Sequence, residues 1–293
     1  MAVRGKSINL YLMDGDANGR IKCTLTNWTG VAYKIPRTAL DLCRERSDLK
    51  QSGVYFLFGM SDNDGTGEVY IGQAGARKNG EGILNRLQEH RRNPEKSYWT
   101  EAVVLTTSNN TLGPTEISYL ENRFCILAAE ANRYTVRNGN EPNMGTITEE
   151  KESEMEEFID RALVIIGALG YKCFEPLIAP AAGGSGRASV MFCINGRGAR
   201  AKGMLTEEGF VVLAGSMIRP DVTHSCPDYV KTSREKYSGI IADNVLQKDI
   251  LFNSPSAASS FVVGGSSNGT TEWKTGEGKT LKAVEEEARG PAE

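Results

Sequence analysis

Three charged or ionisable side chains in the first half of the chain have the types and spacing that phosphate chemistry needs. Arg86 and His90 lie four residues apart in a predicted helix, so they share one face of it. Glu121 lies beside the apolar stripe of a later predicted helix, where a partly desolvated carboxylate is stabilised by a cation. A guanidinium forms paired hydrogen bonds with a phosphate, and a carboxylate holds a hard divalent cation. These residues predict a site for a phosphorylated substrate.

Two tyrosines precede these residues in short apolar runs that predict neighbouring strands. The first lies in Gly53-Val54-Tyr55 and the second in Tyr70-Ile71-Gly72. The two triplets, followed in order by Arg86, His90 and Glu121, resemble the motifs that define the GIY-YIG nuclease family. The resemblance covers residues 53–143 of the 293-residue chain. It implies that this region is a nuclease domain.

The same resemblance implies a metal-dependent endonuclease and a role for each residue. One divalent cation, Mg²⁺ or Mn²⁺, is expected at Glu121, where it would steady the leaving oxygen. Arg86 is expected to bind the scissile phosphate through its planar fork. Tyr70 is the candidate general base, Tyr55 positions the water, and His90 is the rival base. A tyrosine needs a nearby cation to lower its pKa before it can accept a proton near neutrality.

Two positions depart from the family pattern. The lysine that the family often carries soon after the second triplet is Gln73 here, and Lys78 is the nearest substitute. The second histidine of some members is replaced by Trp99, which excludes a mechanism with two histidines. The spacing does not choose among three candidates for a family asparagine beyond the metal-binding helix, which are Asn138, Asn140 and Asn143.

Each of these residues also has a purely structural interpretation. Strand tyrosines ordinarily serve packing. The charged members could instead form ion pairs of little consequence, His90 with Glu89 or Glu95 and Glu121 with Arg123 or Arg133. The functional interpretation therefore depends on the joint presence of all five residues.

Any contact with nucleic acid must be local, because the chain as a whole is acidic. Its formal net charge is -3, whereas a protein that coats nucleic acid indiscriminately needs a broad basic surface. Positive residues around the predicted helix at 82–92 are interspersed with glutamates, which suits a narrow phosphate track. The residues expected to bind nucleic acid along this track are Lys78, Arg91, Arg92 and Lys96.

The hydrophobic patterns around the motifs predict an α+β fold, a small antiparallel sheet with flanking helices. The predicted strands are 53–59, 68–72 and 102–107, and the predicted helices are 82–92 and 115–131. Before them, a β-hairpin over 7–26 and an amphipathic helix over 36–50 form an N-terminal extension.

A linker is expected near the middle of the chain. A connector helix over 148–169 begins with an acidic turn, and the glycine- and proline-rich segment 177–187 follows it. Short strands and helices beyond the linker predict a second, smaller α+β domain, with strands at 189–195 and 209–214 and helices near 232–238 and 256–263. The expected organisation is an extension (1–50), the nuclease domain (51–143), a connector (144–184) and a C-terminal domain (185–293).

The C-terminal region resembles an uncharacterised domain that often follows GIY-YIG nucleases, on the basis of the runs 209–216 and 254–260. Asn268-Gly269 and Trp273-Lys274 are similar to a small module attached to restriction-associated adenine methylases, which is thought to read DNA modification. A targeting domain and a dimerisation or scaffold domain both stay open. The side chains that could contact phosphates are Arg197, Arg200, Lys202 and Arg219.

Composition limits the compartment and the partners. The six cysteines show no CxxC pair and the chain has two histidines, which predicts reduced, mostly buried thiols. No apolar run reaches the roughly 18 residues of a membrane span, and the first residues lack the apolar segment of a secretory signal. We therefore expect a cytoplasmic protein without a membrane partner.

The expected function is that of an endonuclease which acts on DNA in restriction or antiviral defence. Two alternatives remain open. The chain could be a nucleic-acid-binding or modification-reading module with a weak or silent nuclease site, or an RNA-directed nuclease. A homo-oligomer also stays open.

Overall fold

The computed structural model divides the chain into two compact units, Met1–Pro176 and Leu177–Glu293. The boundary lies at the start of the segment predicted as a linker, most of which lies outside the residues that the structure describes. The described residues are 4–62, 65–76, 82–139, 142–178, 190–224 and 226–289.

A seven-stranded sheet forms the centre of the first unit. All neighbouring strands in it are antiparallel except the parallel pair β5 and β7. The spatial order is β1-β2-β3-β6-β4-β5-β7, so β6 is central, β4 is an interior strand beside it and β5 lies near one edge. The strands are β1 (Ile8–Leu12), β2 (Ile21–Leu25), β3 (Gly30–Pro36), β4 (Gly53–Met60), β5 (Gly67–Ala74), β6 (Trp99–Thr107) and β7 (Thr135–Val136).

Helices cover both faces of this sheet. Because side chains alternate along a strand, Val54, Phe56 and Phe58 of β4 enter the core shared with α2 (Pro114–Ala131) and α3 (Glu149–Ala168). Tyr55 and Leu57 point the other way, into a core shared with α1 (Ile83–Arg92). Among the residues that the structure describes, 3-10 helices at Arg37–Cys43, Ser47–Lys50 and Pro94–Lys96 complete the unit.

The second unit has its own sheet and its own core. Four antiparallel strands lie in the order β13-β10-β9-β8, and β11 and β12 form a separate pair. The strands are β8 (Met191–Gly196), β9 (Ala199–Thr206), β10 (Gly209–Val212), β11 (Ile241–Ala242), β12 (Val245–Leu246) and β13 (Ile250–Phe252). The helices are α4 (Asp228–Lys236), α5 (Pro255–Val263), α6 (Gly269–Glu272) and α7 (Leu281–Arg289), with a 3-10 helix at Ser238–Ile240.

Two hydrogen bonds fix the start of α5 and the position of Trp273 in the second unit. The hydroxyl of Ser254 accepts a hydrogen bond from the amide of Ala257 at 3.1 Å, and Pro255 occupies the first turn of α5. Trp273 is fully buried and donates its indole N–H to the carbonyl of Pro255 at 3.0 Å. Both units are therefore α+β, as the sequence predicts.

The amphipathic helix predicted over 36–50 is wrong, because this segment forms two 3-10 helices instead. Its buried residues Leu40, Cys43 and Leu49 are separated by multiples of three, which matches the three residues per turn of a 3-10 helix.

β3 was not expected from the sequence, since it is buried on both faces and shows no polar alternation. It joins β1 and β2 to the sheet that carries the two triplets.

All six cysteines are free, and five of them are buried. Across the part of the chain that the structure describes, no helix has the length and apolar character needed to cross a membrane.

Candidate functional site

Tyr55 and Tyr70 lie on the same face of two paired strands. In the register of β4 and β5, Tyr55 is opposite Gly72 and Leu57 is opposite Tyr70, so the two tyrosines are diagonal neighbours. Their ring centroids are 6.4 Å apart. Tyr55 is buried, whereas Tyr70 is partly exposed. The second tyrosine is therefore the more accessible of the two.

The glycine of the second triplet makes room for the tyrosine of the first. A Cβ atom at Gly72 would overlap the hydroxyl and the ring of Tyr55. Gly53 has the same constraint on the other side of β4, because a Cβ there would overlap the carbonyl oxygen of Leu105 on β6. The glycines thus allow close approach of neighbouring chains, which is a steric reason for their place in the triplets.

We expect Gly72→Ala to lower the free energy of unfolding by about 1–3 kcal/mol, as overpacking of a close-packed site does. The added methyl group must displace the ring of Tyr55. The matched control is Gly75→Ala, because the nearest atom to a Cβ there is Cδ1 of Ile117 at 3.9 Å. Urea unfolding of both variants tests this expectation. Equal stability of Gly72→Ala and Gly75→Ala would contradict it.

His90 is buried beneath the tyrosines and is bound by Tyr55. The Tyr55 hydroxyl and Nε2 of His90 are 2.7 Å apart, and the ring centroids of His90 and Tyr70 are 5.2 Å apart. Burial, together with the charges of Lys96 and Arg86, lowers the pKa of His90 to about 4. Burial also raises the pKa of Tyr55. Both groups are therefore neutral at pH 7. The sequence leaves open an ion pair of His90 with Glu89 or Glu95, and the structure has the buried hydrogen bond with Tyr55 instead.

Arg86 lies one turn before His90 on α1 and reaches the same face. Its guanidinium pairs with Glu89 at 2.7 Å, and 41% of its side chain is exposed. Its positive charge lowers the pKa of both tyrosines and of Glu121, which places the four groups within electrostatic reach. A surface ion pair contributes about 0–1 kcal/mol. A phosphate can therefore displace Glu89 from Arg86 at small cost.

Glu121 on α2 is half-buried and lies beside the end of β5. The amide of Gln73 donates to Oε2 of Glu121 at 2.8 Å and to the hydroxyl of Ser118 at 3.3 Å. Burial raises the pKa of Glu121, whereas the hydrogen bond from Gln73 and the charge of Arg86 lower it. Arg123 is paired with Glu156 at 2.6 Å, so it serves a different carboxylate from Glu121.

The donors around Glu121 limit what kind of cation it could hold. Among the described residues, no group of three histidine, cysteine, aspartate or glutamate side chains is arranged to hold a metal. A single carboxylate oxygen suits a hard ion such as Mg²⁺, which keeps several waters and is commonly held by one or two carboxylates and substrate phosphate. The buried charge of Glu121 fits such an ion, because a cation offsets the cost of its desolvation.

The predicted phosphate track is only partly assembled. Lys96 lies over the ring of Tyr70, with Nζ 3.4 Å from the ring centroid, and Arg92 is exposed at the end of α1. The guanidinium of Arg91 forms two bonds with Asp41, at 2.9 and 3.1 Å. Lys78 lies outside the described residues. Lys96 is thus the member of the track that touches a candidate site residue.

Asn138 holds the second triplet in place. Its Oδ1 accepts from the backbone N–H of Ile71 at 3.0 Å, and its Nδ2 donates to the carbonyl of the same residue at 2.7 Å. Asn143 instead bonds within its own turn through Oδ1, and Asn140 lies outside the described residues. Asn138 is therefore the asparagine that contacts the strand carrying Tyr70.

The site also depends on Arg37, which the sequence analysis does not single out. Its guanidinium donates to backbone carbonyls of α1 and of the segment that follows it. It also lies over the ring of Trp99, with its Cζ atom 4.8 Å from the centroid. No local sequence signal marks this residue, because its partners are more than fifty positions away.

A family comparison identifies part of the second unit. Residues 192–285 match the model of a domain of unknown function, DUF4357. The second unit thus contains a DUF4357 domain. No curated protein and no solved structure matches the chain.

One face of the DUF4357 domain is polar and basic. Arg200 and Lys202 are exposed on β9, opposite Asn195 and Cys193 of β8. Next to them lies a cavity of about 320 Å³, whose lining is Cys193, Asn195, Thr271, Glu272, Lys274, Thr275, Gly276 and Gly278. Arg197 is exposed but lies 3.8 Å from Glu272, and Arg219 is half-buried.

Proposed function

We propose that the first unit is a metal-dependent nuclease of the GIY-YIG type, which hydrolyses phosphodiester bonds in nucleic acid, with DNA as the substrate. The observation that carries the proposal is the convergence of Tyr55, Tyr70 and His90 on one face, with Arg86 and Glu121 in electrostatic reach. The residues come from β4, β5, α1 and α2. The resemblance of the two triplets to the family motifs supports the same conclusion.

Each side chain has one task in the proposed reaction. Tyr70, which is partly exposed, accepts a proton from the attacking water. Arg86 exchanges Glu89 for the scissile phosphate and stabilises the charge that builds on its oxygens. His90 shares a hydrogen bond with Tyr55 and so fixes the buried tyrosine beside Tyr70.

Glu121 supplies the negative charge for a divalent cation. Its half-buried carboxylate is oriented by the amide of Gln73, which occupies Oε2. When bound there, Mg²⁺ or Mn²⁺ would stabilise the developing charge of the leaving oxygen. Gln73, which stands where the family often has a lysine, thus serves as a positioning residue for the carboxylate.

The decisive experiment is a cleavage assay with labelled single- and double-stranded DNA and RNA. We expect cleavage of DNA that requires Mg²⁺ or Mn²⁺ and is abolished by EDTA. Cleavage of RNA alone would establish the RNA-directed alternative. Binding without cleavage on every substrate, at any concentration of either metal, would overturn the proposed activity.

We further propose that the DUF4357 domain directs the nuclease to its target. The exposed pair Arg200 and Lys202 beside the polar cavity supports contact with phosphates, which positions a nucleic acid without specifying sequence. A role in restriction or antiviral defence follows from the family resemblances and belongs to the same proposal. A second contact surface raises the effective concentration of substrate at the nuclease site.

A chain of residues 1–176 is therefore expected to retain Mg²⁺-dependent cleavage but to need about tenfold or more enzyme for the same rate. The chain of residues 177–293 should bind DNA with an affinity that falls as salt rises. Titration of both chains and the full-length protein against the same DNA measures this. If 177–293 binds neither DNA nor RNA at low salt and 1–176 matches the full-length enzyme, the domain has an assembly role instead.

A further inference from the structure

Lys96 is unusually close to the ring of Tyr70. Its Nζ atom lies 3.4 Å from the ring centroid, well within the roughly 6 Å of a cation–π contact. The side chain is half-buried, and within the described part of the chain no carboxylate forms an ion pair with it. The ring of Tyr70 is thus the aromatic group that Lys96 contacts in the site.

Arg37 holds the short segment that carries Lys96. Its Nη1 donates to the carbonyls of Lys96, Ser97 and Trp99 at 3.1, 2.9 and 3.2 Å. Its Nη2 donates to the carbonyl of Arg91 at 3.0 Å, at the end of α1. A single guanidinium therefore ties the 3-10 helix Pro94–Lys96 to the helix that carries Arg86 and His90. Hydrogen bonds from a charged group are stronger than neutral ones, which suits this clamp.

We propose that Lys96 acts through Tyr70 as the cation that stabilises negative charge on its hydroxyl, and that Arg37 is the positioning residue that keeps Lys96 there. The inference rests on the proposed function, in which Tyr70 gains that charge on losing its proton. In the GIY-YIG family a lysine at the position of Gln73 often supplies a cation to the site. In this chain Lys96 would supply that cation from a different part of the fold.

Burial and the carboxylate of Glu121 oppose a negative charge on Tyr70. Both raise its pKa, while the charge of Arg86 and a hydrogen bond with Tyr55 lower it. Arg86 is paired with Glu89, so part of its charge is already compensated. The titratable or charged groups that face Tyr70 are Tyr55 of β4, Arg86 and His90 of α1, Glu121 and Cys125 of α2, and Lys96 and Tyr98 of the segment before β6.

The contact also has a pH limit. Burial, together with the charge of Arg86, lowers the pKa of Lys96 to about 8. A lysine with a lowered pKa is charged below that pH and loses its charge as the pH rises through it. The positive charge of Lys96, which stabilises a deprotonated Tyr70, is therefore present near neutrality and is lost above about pH 8.

The test measures Tyr70 directly in the full chain, with 2,3,5-trifluorotyrosine at position 70 and fluorine NMR. Three ring fluorines lower the phenol pKa below that of Lys96, so the phenol titrates while the lysine is still charged. We expect Lys96→Met to raise this pKa by about one unit, as loss of a neighbouring cation does, and Lys96→Arg to restore it. The matched control is Lys236→Met, because Lys236 lies 5.2 Å from the ring of Tyr237 in the other unit. An unchanged pKa in Lys96→Met would overturn the proposal.

Arg37 is tested through a double-variant cycle in the same NMR experiment. Arg37→Gln should raise the phenol pKa in the wild-type background and add nothing in the Lys96→Met background, because both changes remove one interaction. A shift of the same size in both backgrounds would show that Arg37 acts independently of Lys96 and would overturn its assignment.

Cleavage assays separate this inference from the proposed function. If the chain cleaves DNA, Lys96→Met should lose about tenfold in rate at pH 7, the counterpart of one pKa unit, and Lys96→Arg should recover it. If the chain cleaves nothing, the proposed activity fails while the NMR shift still decides the role of Lys96. Equal loss in Lys96→Arg and Lys96→Met, with the phenol pKa restored in Lys96→Arg, would overturn a role through charge.

Discussion

Glu121→Gln is expected to abolish Mg²⁺-dependent cleavage while making the fold more stable. The carboxylate is half-buried, and burial raises its pKa. A carboxyl group whose folded pKa is raised favours the folded state below its unfolded pKa and loses that contribution as the pH rises. At neutral pH the charge of Glu121 therefore destabilises the protein, and a neutral side chain of the same shape removes that cost.

The opposite signs of the two effects separate a metal ligand from a structural ion pair. Glutamine at position 121 can still accept the hydrogen bond that Gln73 donates, so the local packing is retained. Thermal unfolding and cleavage are measured on Glu121→Gln and on Glu130→Gln, a control at an exposed carboxylate of the same helix. Mg²⁺ should raise the melting temperature of the wild type and not of Glu121→Gln. A variant that still cleaves with Mg²⁺, or that loses stability, would remove Glu121 from the metal site.

The sequence predicts the local part of this site well. The two triplets pair in antiparallel strands, and α1 and α2 begin and end within one residue of the predicted helices. Helical spacing places Arg86 and His90 on one face of α1, and the structure brings His90 to Tyr55 and Tyr70. These features follow from periodicity over a few residues, which tertiary packing leaves unchanged.

The contacts that tune the site could not be predicted in this way. The bond between Tyr55 and His90 depends on the register of β4 and β5, which sets Gly72 opposite Tyr55. The clamp of Arg37 depends on β3, a strand buried on both faces that lacks the alternation by which strands are recognised. Glu121 finds Gln73 across the end of β5, forty-eight positions away. Each is a long-range contact, and local pattern carries no information about it.

A second substitution, Tyr70→Phe, tests whether Tyr70 is the general base. We expect it to reduce the rate of cleavage by about two orders of magnitude or more. Phenylalanine keeps the ring against Lys96 and His90 but can neither accept nor donate a proton. The control is Tyr98→Phe, because the hydroxyl of Tyr98 is buried and has no hydrogen-bond partner among the described residues. Loss of that hydroxyl should leave cleavage and stability unchanged or improve stability.

The pH dependence of cleavage distinguishes Tyr70 from His90 as the base. A base works in its deprotonated form, and burial raises the pKa of Tyr70 while Glu121 raises it further. With Tyr70 as the base, the rate should therefore rise between about pH 6 and pH 8, and Tyr70→Phe should remove the rise. With His90 as the base the rate should be flat over this range, because burial holds the pKa of His90 at about 4 and the imidazole is already deprotonated. A flat profile, together with normal cleavage by Tyr70→Phe and loss in His90→Ala, would move the role to His90.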